Sequence, residues 1–193
     1  MTSRYRLVLL GLCVAFLGLL APSALRADNL VINGGFETGD FTGWTTNGAG
    51  FLGVSTGNAN SGAYYAYFGS TDPNNPDIIS QTLTTLPGRS YTVSFWVANE
   101  GSAPGQSDFQ ALWDGGQLVD VSGADASGYT NYVFDVSGTG NDTLTFQGYQ
   151  VPSYYDLDDV SVDGSPVPEP SSLYLLGTGL VAFGGLDRRK LKA

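Results

Sequence analysis

Ser90-Tyr-Thr-Val-Ser-Phe-Trp-Val-Ala-Asn99 is the stretch on which the fold turns. Tyr91, Val93, Phe95 and Val97 alternate with Thr92, Ser94, Trp96 and Ala98. A period of two belongs to a β-strand, and the more apolar set faces the core. The same parity puts Trp96 on the opposite face, with Thr92 and Ser94. Working outward, similar runs occur at 29–33, 51–54, 63–69, 78–83, 109–113, 117–121, 129–136, 143–148 and 155–162. In the 129–136 run, Tyr132, Phe134 and Val136 share one face with Thr130, and Asn131, Val133 and Asp135 share the other. Turn residues separate the runs: Asn33-Gly34-Gly35, Asp72-Pro73-Asn74-Asn75-Pro76, Pro87-Gly88 and Asp114-Gly115-Gly116. Asp-Gly-Gly between two apolar runs predicts a hairpin. No long window carries a helical period. Short strands in this number predict an all-β domain, an antiparallel β-sandwich.

Composition agrees. The 193 residues include 27 Gly, 11 Tyr, 10 Phe and 3 Trp, and only 13% are charged, against roughly 25% in an average soluble protein. Histidine is absent and Cys13 is the single cysteine. This excludes an internal disulfide, a Ser-His-Asp triad, a Cys-His dyad and any zinc site built on Cys or His. Seven of the 8 basic residues lie in the first 26 or last 6 positions. Between Asp28 and Pro166 there are 16 acids and one base, Arg89. A body so acidic repels phosphate backbones, so nucleic acid is excluded as a partner.

The two basic ends read as export signals. At the N-terminus, Arg4 and Arg6 precede an apolar run from Leu7 to Leu20, and small residues lead to Ala27. This is the layout of a secretory signal peptide, with residues 1–27 removed through the Sec machinery. The run of 14 residues is short against the roughly 20 needed to span a bilayer. Cys13 departs with it. At the C-terminus, Pro166, Pro168 and Pro170 form a stiff spacer. An uncharged apolar run from Leu173 to Leu186 follows, then Arg188, Arg189 and Lys190. Basic residues after an apolar segment hold that end in the cytoplasm. Residues 166–193 resemble the PEP-CTERM sorting signal of Gram-negative bacteria: the Pro168-Glu169-Pro170 motif, a hydrophobic helix and a basic cluster with Arg188 and Arg189. The resemblance implies recognition by an exosortase, transient anchoring in the inner membrane, and release to a surface or biofilm matrix rich in exopolysaccharide. The apolar run is short, and Asp187 stands before the basic cluster.

Between these ends lies one domain, residues 28–165. Its start, Asn33-Gly-Gly-Phe36-Glu37 followed by Gly43-Trp44, and its end, Asp158-Asp159-Val-Ser-Val162, resemble the first and last strands of galactose-binding-like jelly rolls of carbohydrate-binding modules. The central Ser80-Gln-Thr-Leu83 and Pro87-Gly-Arg-Ser-Tyr91 segments resemble them too. The resemblance implies a jelly-roll β-sandwich, a structural calcium near these ends, and carbohydrate as ligand.

Three constellations carry chemistry. If the first and last strands pair, Glu37, Asp158 and Asp159 converge. Hard oxygen ligands in an acidic exported chain suit Ca²⁺; alternatively these are strand-end acids, with Glu37 accepting a backbone hydrogen bond. Secondly, aromatic residues exceed what one sheet interface needs. Sugars stack on rings and bond to amides and carboxylates, so Trp96, Tyr64, Trp113 and Tyr154 are the carbohydrate-binding candidates. Tyr65, Tyr67, Tyr149 and Tyr155 belong to the same surplus, and Asn99, Asp108, Gln110, Gln147 and Gln150 are the polar partners. Each ring has the alternative of simply packing in the core. Thirdly, 16 acids always include some pair at glycosidase spacing, which is uninformative; the chain is expected not to be an enzyme. Two functions stay open: a carbohydrate-binding module that associates with exopolysaccharide, and a structural matrix protein without a glycan site.

Overall fold

The computed structural model describes residues 29–48, 50–101 and 105–165. The signal and C-terminal helices expected from the sequence, with the Pro168-Glu169-Pro170, Arg188 and Arg189 motif, lie outside the described residues. Ten strands follow one another: β1 (Thr45–Asn47), β2 (Gly53–Thr56), β3 (Tyr64–Phe68), β4 (Asp77–Thr84), β5 (Ser90–Asn99), β6 (Ser107–Trp113), β7 (Gly116–Ser122), β8 (Ser127–Ser137), β9 (Asn141–Gln150) and β10 (Tyr155–Gly164). They form two five-stranded sheets, β1-β4-β9-β6-β7 and β2-β3-β10-β5-β8. Every strand pair is antiparallel. Each sheet draws its strands from both halves of the chain, so the connections cross between layers as in a jelly roll.

Burial follows the parity read from sequence. In β5, Tyr91, Val93, Phe95 and Val97 are buried, and Trp96 is half-buried on the outer side. In β9, Leu144 and Phe146 point inward, while Thr143, Thr145, Gln147 and Tyr149 point out. Aromatic rings stitch the layers: Phe95 meets Phe146 edge-on at 4.9 Å, and Phe68 meets Phe109 at 5.5 Å. Such pairs add to the area they bury, so a sandwich without disulfides has a dense apolar centre. The Asp114-Gly115 turn closes the β6–β7 hairpin, with Asp114 itself at φ 49°.

Strand ends shift by one or two residues from the sequence reading, and two elements differ outright. Residues 29–33 do lie against the last strand, through an Asn29–Asp163 bridge and a Leu30 N–H bond to the Val162 carbonyl at 2.9 Å. They do not continue as a strand, because Asn33 and Phe36 adopt φ of 54° and 56° and turn the chain. The Trp44 indole locks that turn by donating to the Asn33 carbonyl at 3.2 Å. Strand β1, Thr-Thr-Asn, was invisible to pattern because three exposed polar residues carry no alternation.

Candidate functional site

The outward residues of β4, β9, β6 and β7 meet in rows across the sheet. Register sets Ile78 beside Gln147, Gln147 beside Gln110, and Gln110 beside Asp120. The next row sets Tyr149 beside Asp108 and Asp108 beside Ser122. Side chains link the rows. Gln147 Nε2 donates to Gln110 Oε1 at 2.9 Å, and Gln110 Nε2 donates to Asp108 Oδ2 at 2.9 Å and Asp120 Oδ2 at 3.3 Å. Burial, then the Asp120 charge and a bond to its carboxyl, push the Asp108 carboxyl up to about 6, against the bond from Gln110. Asp108 therefore keeps its proton into the mildly acidic range. Asn47 of β1 pairs with Ile78 at the far end of the row. There it also lines a cavity of about 370 Å³ with Phe41, Thr46, Gly48, Gly50 and Leu52.

The opposite outer face uses its carboxylates differently. The 57–63 segment lies over β10. Asp158 Oδ2 accepts the N–H groups of Asn60 and Ser61 at 2.8 and 3.1 Å, and its Oδ1 accepts the Asp159 N–H at 2.7 Å. Asp159 accepts from Asn60 Nδ2 and Ser61 Oγ at 2.7 and 2.6 Å. Glu37 Oε1 accepts the Ala63 and Tyr64 N–H groups at 2.8 and 3.0 Å. Asp156 Oδ2 accepts Asn58 Nδ2 at 2.6 Å, and its Oδ1 is buried without a hydrogen bond. Burial raises Asp156 to about 7, the Asn58 bond opposing it and nearby Glu100 adding to it. Burial likewise raises Asp158 to about 6, against the loop N–H bonds.

Of the acids expected to hold calcium, Asp158 and Asp159 converge beside Gly35, whereas Glu37 turns its carboxylate to Gly62. A Cβ on Gly35 would sit 3.7 Å from Asp158 Oδ1 and 3.8 Å from Asp159 Oδ1, with the Glu37 side chain at 3.7 Å. Their oxygens, however, face N–H and O–H donors of the loop. Among the described residues, no group of three or more acidic, His or Cys side chains is placed to hold a metal ion. As arranged, the three carboxylates staple the loop, which matches the backbone-acceptor alternative for Glu37.

The aromatic candidates do not gather. Trp96 stands on the outer face of the β10-β5-β8 region, in register between Asp158 and Asn131. Trp113 is a correction: at 9% exposure it belongs to the core, because it shares its strand face with Phe109 and Ala111. Tyr64 packs against the same core, with its ring close to Gly39. Tyr154 is 38% exposed and meets Tyr67 edge-on at 5.3 Å. Of the polar candidates, Asp108, Gln110 and Gln147 assemble, whereas Asn99 and Gln150 are buried and bonded to each other at 2.6 Å. Tyr149, named only among the surplus aromatics, and Asp120, not named at all, complete the polar face. Parity along β9 and β6 would have found Tyr149.

Comparison with known proteins bears on the fold and on the C-terminal segment. Residues 28–117 match the family model described as Carbohydrate binding domain, and residues 166–190 match the PEP-CTERM protein-sorting motif. A solved structure of TmCBM61 in complex with β-1,4-galactotriose is similar at a TM-score of 0.59 and 23% identity, over 72% of this chain and 100% of that one. The CBM22-1 xylan-binding domain of Paenibacillus barcinonensis Xyn10C is similar at 0.52 and 20% identity, over 76% and 100%. The enzymatically active domain of tailspike protein 4 of bacteriophage CBA120 aligns at 0.54 and 16% identity, over 70% of this chain and 21% of its own. No curated protein matches. The first two cover whole binding modules, which confirms the jelly-roll sandwich. This chain carries a jelly-roll sandwich similar to carbohydrate-binding modules, matched by the Carbohydrate binding domain model over residues 28–117, and a match to the PEP-CTERM protein-sorting motif over residues 166–190.

Proposed function

We propose that the protein is a non-catalytic, exported binder of polysaccharide, sorted to the cell surface by an exosortase acting on its C-terminal motif. Its glycan face is the outer side of β4-β9-β6-β7. The observation that carries this reading is the ladder from Gln147 through Gln110 to Asp108 and Asp120, beside Tyr149. Amides and carboxyls supply both donors and acceptors for sugar hydroxyls, and the tyrosine ring supplies a surface for the C–H face of a sugar. The row from Asn47 to Asp120 crosses five strands, about 19 Å at the usual strand spacing. That is longer than a single sugar ring, so a polymer chain is the natural ligand. Because residues 28–166 hold 16 acids and one base, a neutral or cationic polymer is favoured over an acidic one, and added salt weakens the discrimination. Single-site affinity is modest, and retention on a repeating polymer rises through multiple contacts.

Affinity electrophoresis of residues 28–165 through gels containing galactan, xylan, chitosan or alginate tests this. Retardation by at least one neutral or cationic polymer is expected, reduced in Gln110→Ala and Tyr149→Ala with an unchanged fold. Free migration through every gel would leave the structural matrix reading in its place.

A further inference from the structure

Strand β8 is the longest strand, at 11 residues, and stands at the edge of its sheet beside β5 alone. The other edge strands are shorter, with 3 residues in β1, 4 in β2 and 7 in β7. An edge presents a row of N–H and C=O groups that a further strand can pair, and proteins block this with Lys, Pro, bulges or brevity. Ser127-Gly-Tyr-Thr-Asn-Tyr-Val-Phe-Asp-Val-Ser137 contains neither Lys nor Pro and one charge, Asp135. Thr92 Oγ1 holds that carboxylate at 2.9 Å. The one irregularity in the β5–β8 register falls between Val97 and Asn99, so pairing from Thr130 to Ser137 is regular. The flank is also apolar. β7 and β8 are each the last strand of their sheet and are linked by residues 123–126 alone; on these two strands Val121, Tyr132, Phe134 and Val136 are only partly buried against the core and Val133 is 56% exposed.

We propose that β8 pairs antiparallel with β8 of a second copy of this chain, joining two five-stranded sheets into one ten-stranded sheet and covering this flank. Pairing with β1 or β2 of another copy would use 3 or 4 residues instead of the regular Thr130–Ser137 stretch. Self-pairing is also the arrangement that avoids charge repulsion. With the two-fold axis at Tyr132, the regular residues Thr130–Phe134 pair with the same stretch of the second copy, and the two Asp135 carboxylates lie six positions apart. That is about 20 Å at the usual rise per residue, beyond the Debye length of about 8 Å in physiological salt. The contact is isologous and closes at two copies, and the particle carries two outer β4-β9-β6-β7 faces.

Sedimentation velocity and light scattering on residues 28–165, which form a compact unit, test the proposal across a wide concentration series. A dimer mass is expected at the upper end. Val133→Lys, which places two cations beside the axis, should give a monomer with an unchanged melting curve at low concentration. Residues 28–165 contain no cysteine, so a short bis-maleimide should link copies of Val133→Cys, near the axis, and not copies of Thr56→Cys on the β2 edge. A monomer mass at every concentration, or equal linking of both cysteine variants, overturns the proposal.

Discussion

On the β2-β3-β10-β5-β8 sheet, the outward acids Asp156 and Asp158 are fully buried under the 57–63 loop and accept its N–H groups. On the β1-β4-β9-β6-β7 sheet, Asp108 and Asp120 stand on the outer face, with Asp120 exposed, and both bond to Gln110. The residue types are the same. What differs is the chain above them: where a loop lies over a carboxylate, its acceptor capacity is spent inside the molecule. Where a carboxylate lines an open sheet face, that capacity remains for a ligand. The first face spends its acids on the fold, and the second is the face we propose for recognition.

Removing one acid from each face breaks this contrast or confirms it. Asp158→Ala strips acceptors from the N–H groups of Asn60, Ser61 and Asp159. Hydrogen bonds to a charged group are worth about 1.5–3 kcal/mol each, so with partial relaxation the variant should lose about 3–5 kcal/mol. The melting temperature then falls by roughly 10 °C or more. Asp120→Ala, at an exposed position, should stay within about 0.5 kcal/mol of the parent. Equal losses in thermal melts of the two variants would erase the distinction.

The buried face should also show in the pH dependence of stability. Asp156 is raised to about 7 and Asp158 to about 6 from an ordinary 3.8, chiefly by burial. Between these limits the native state holds protons that the unfolded chain has released. Unfolding free energy therefore falls as pH rises from about 4 to about 7, and levels off above that. Asp156→Asn removes the largest single contribution to the slope and should stabilise the protein at pH 8 by on the order of 2 kcal/mol. Denaturant titrations across this range check it. A stability that climbs with pH through the window would contradict the assigned burial.

Glu37→Ala, which frees two backbone N–H groups, should cost about 1–2 kcal/mol. The cost should be the same in calcium as in chelator, because the staple needs no cation. Melting curves of the parent protein in the two buffers should coincide within about 1 °C. A rise of several degrees in calcium would show that the acids around Gly35 close on an ion and that the staple is only part of their role.

How much of this was legible beforehand depended on whether a residue's fate follows from its own strand. Parity in Ser90–Asn99 separated Phe95 from Trp96 correctly, and the same test applied to Ser107–Trp113 would have sent Trp113 inward with Phe109 and Ala111. It would also have separated Gln147 from Gln150, which shares the inward face with Leu144 and Phe146. The meeting of the chain's start with its last strand was readable, since Asn29 does bridge Asp163. The loop over the acids was not. Gly57-Asn-Ala-Asn-Ser-Gly62 carries no apolar anchor, and it meets acids 98 positions away. No local pattern encodes a contact so remote, and so the same acids read as readily as calcium ligands.

The direct test of the central claim is an amide NMR titration of residues 28–165 with an oligosaccharide cut from whichever polymer retards the protein. The account predicts that shifts concentrate at Gln110, Asp120, Gln147 and Tyr149, with Trp96 and its neighbours Asp158 and Asn131 unmoved. Shifts centred on Trp96 and Asn131, with the β6 and β9 amides silent, would place recognition on the other sheet and contradict it.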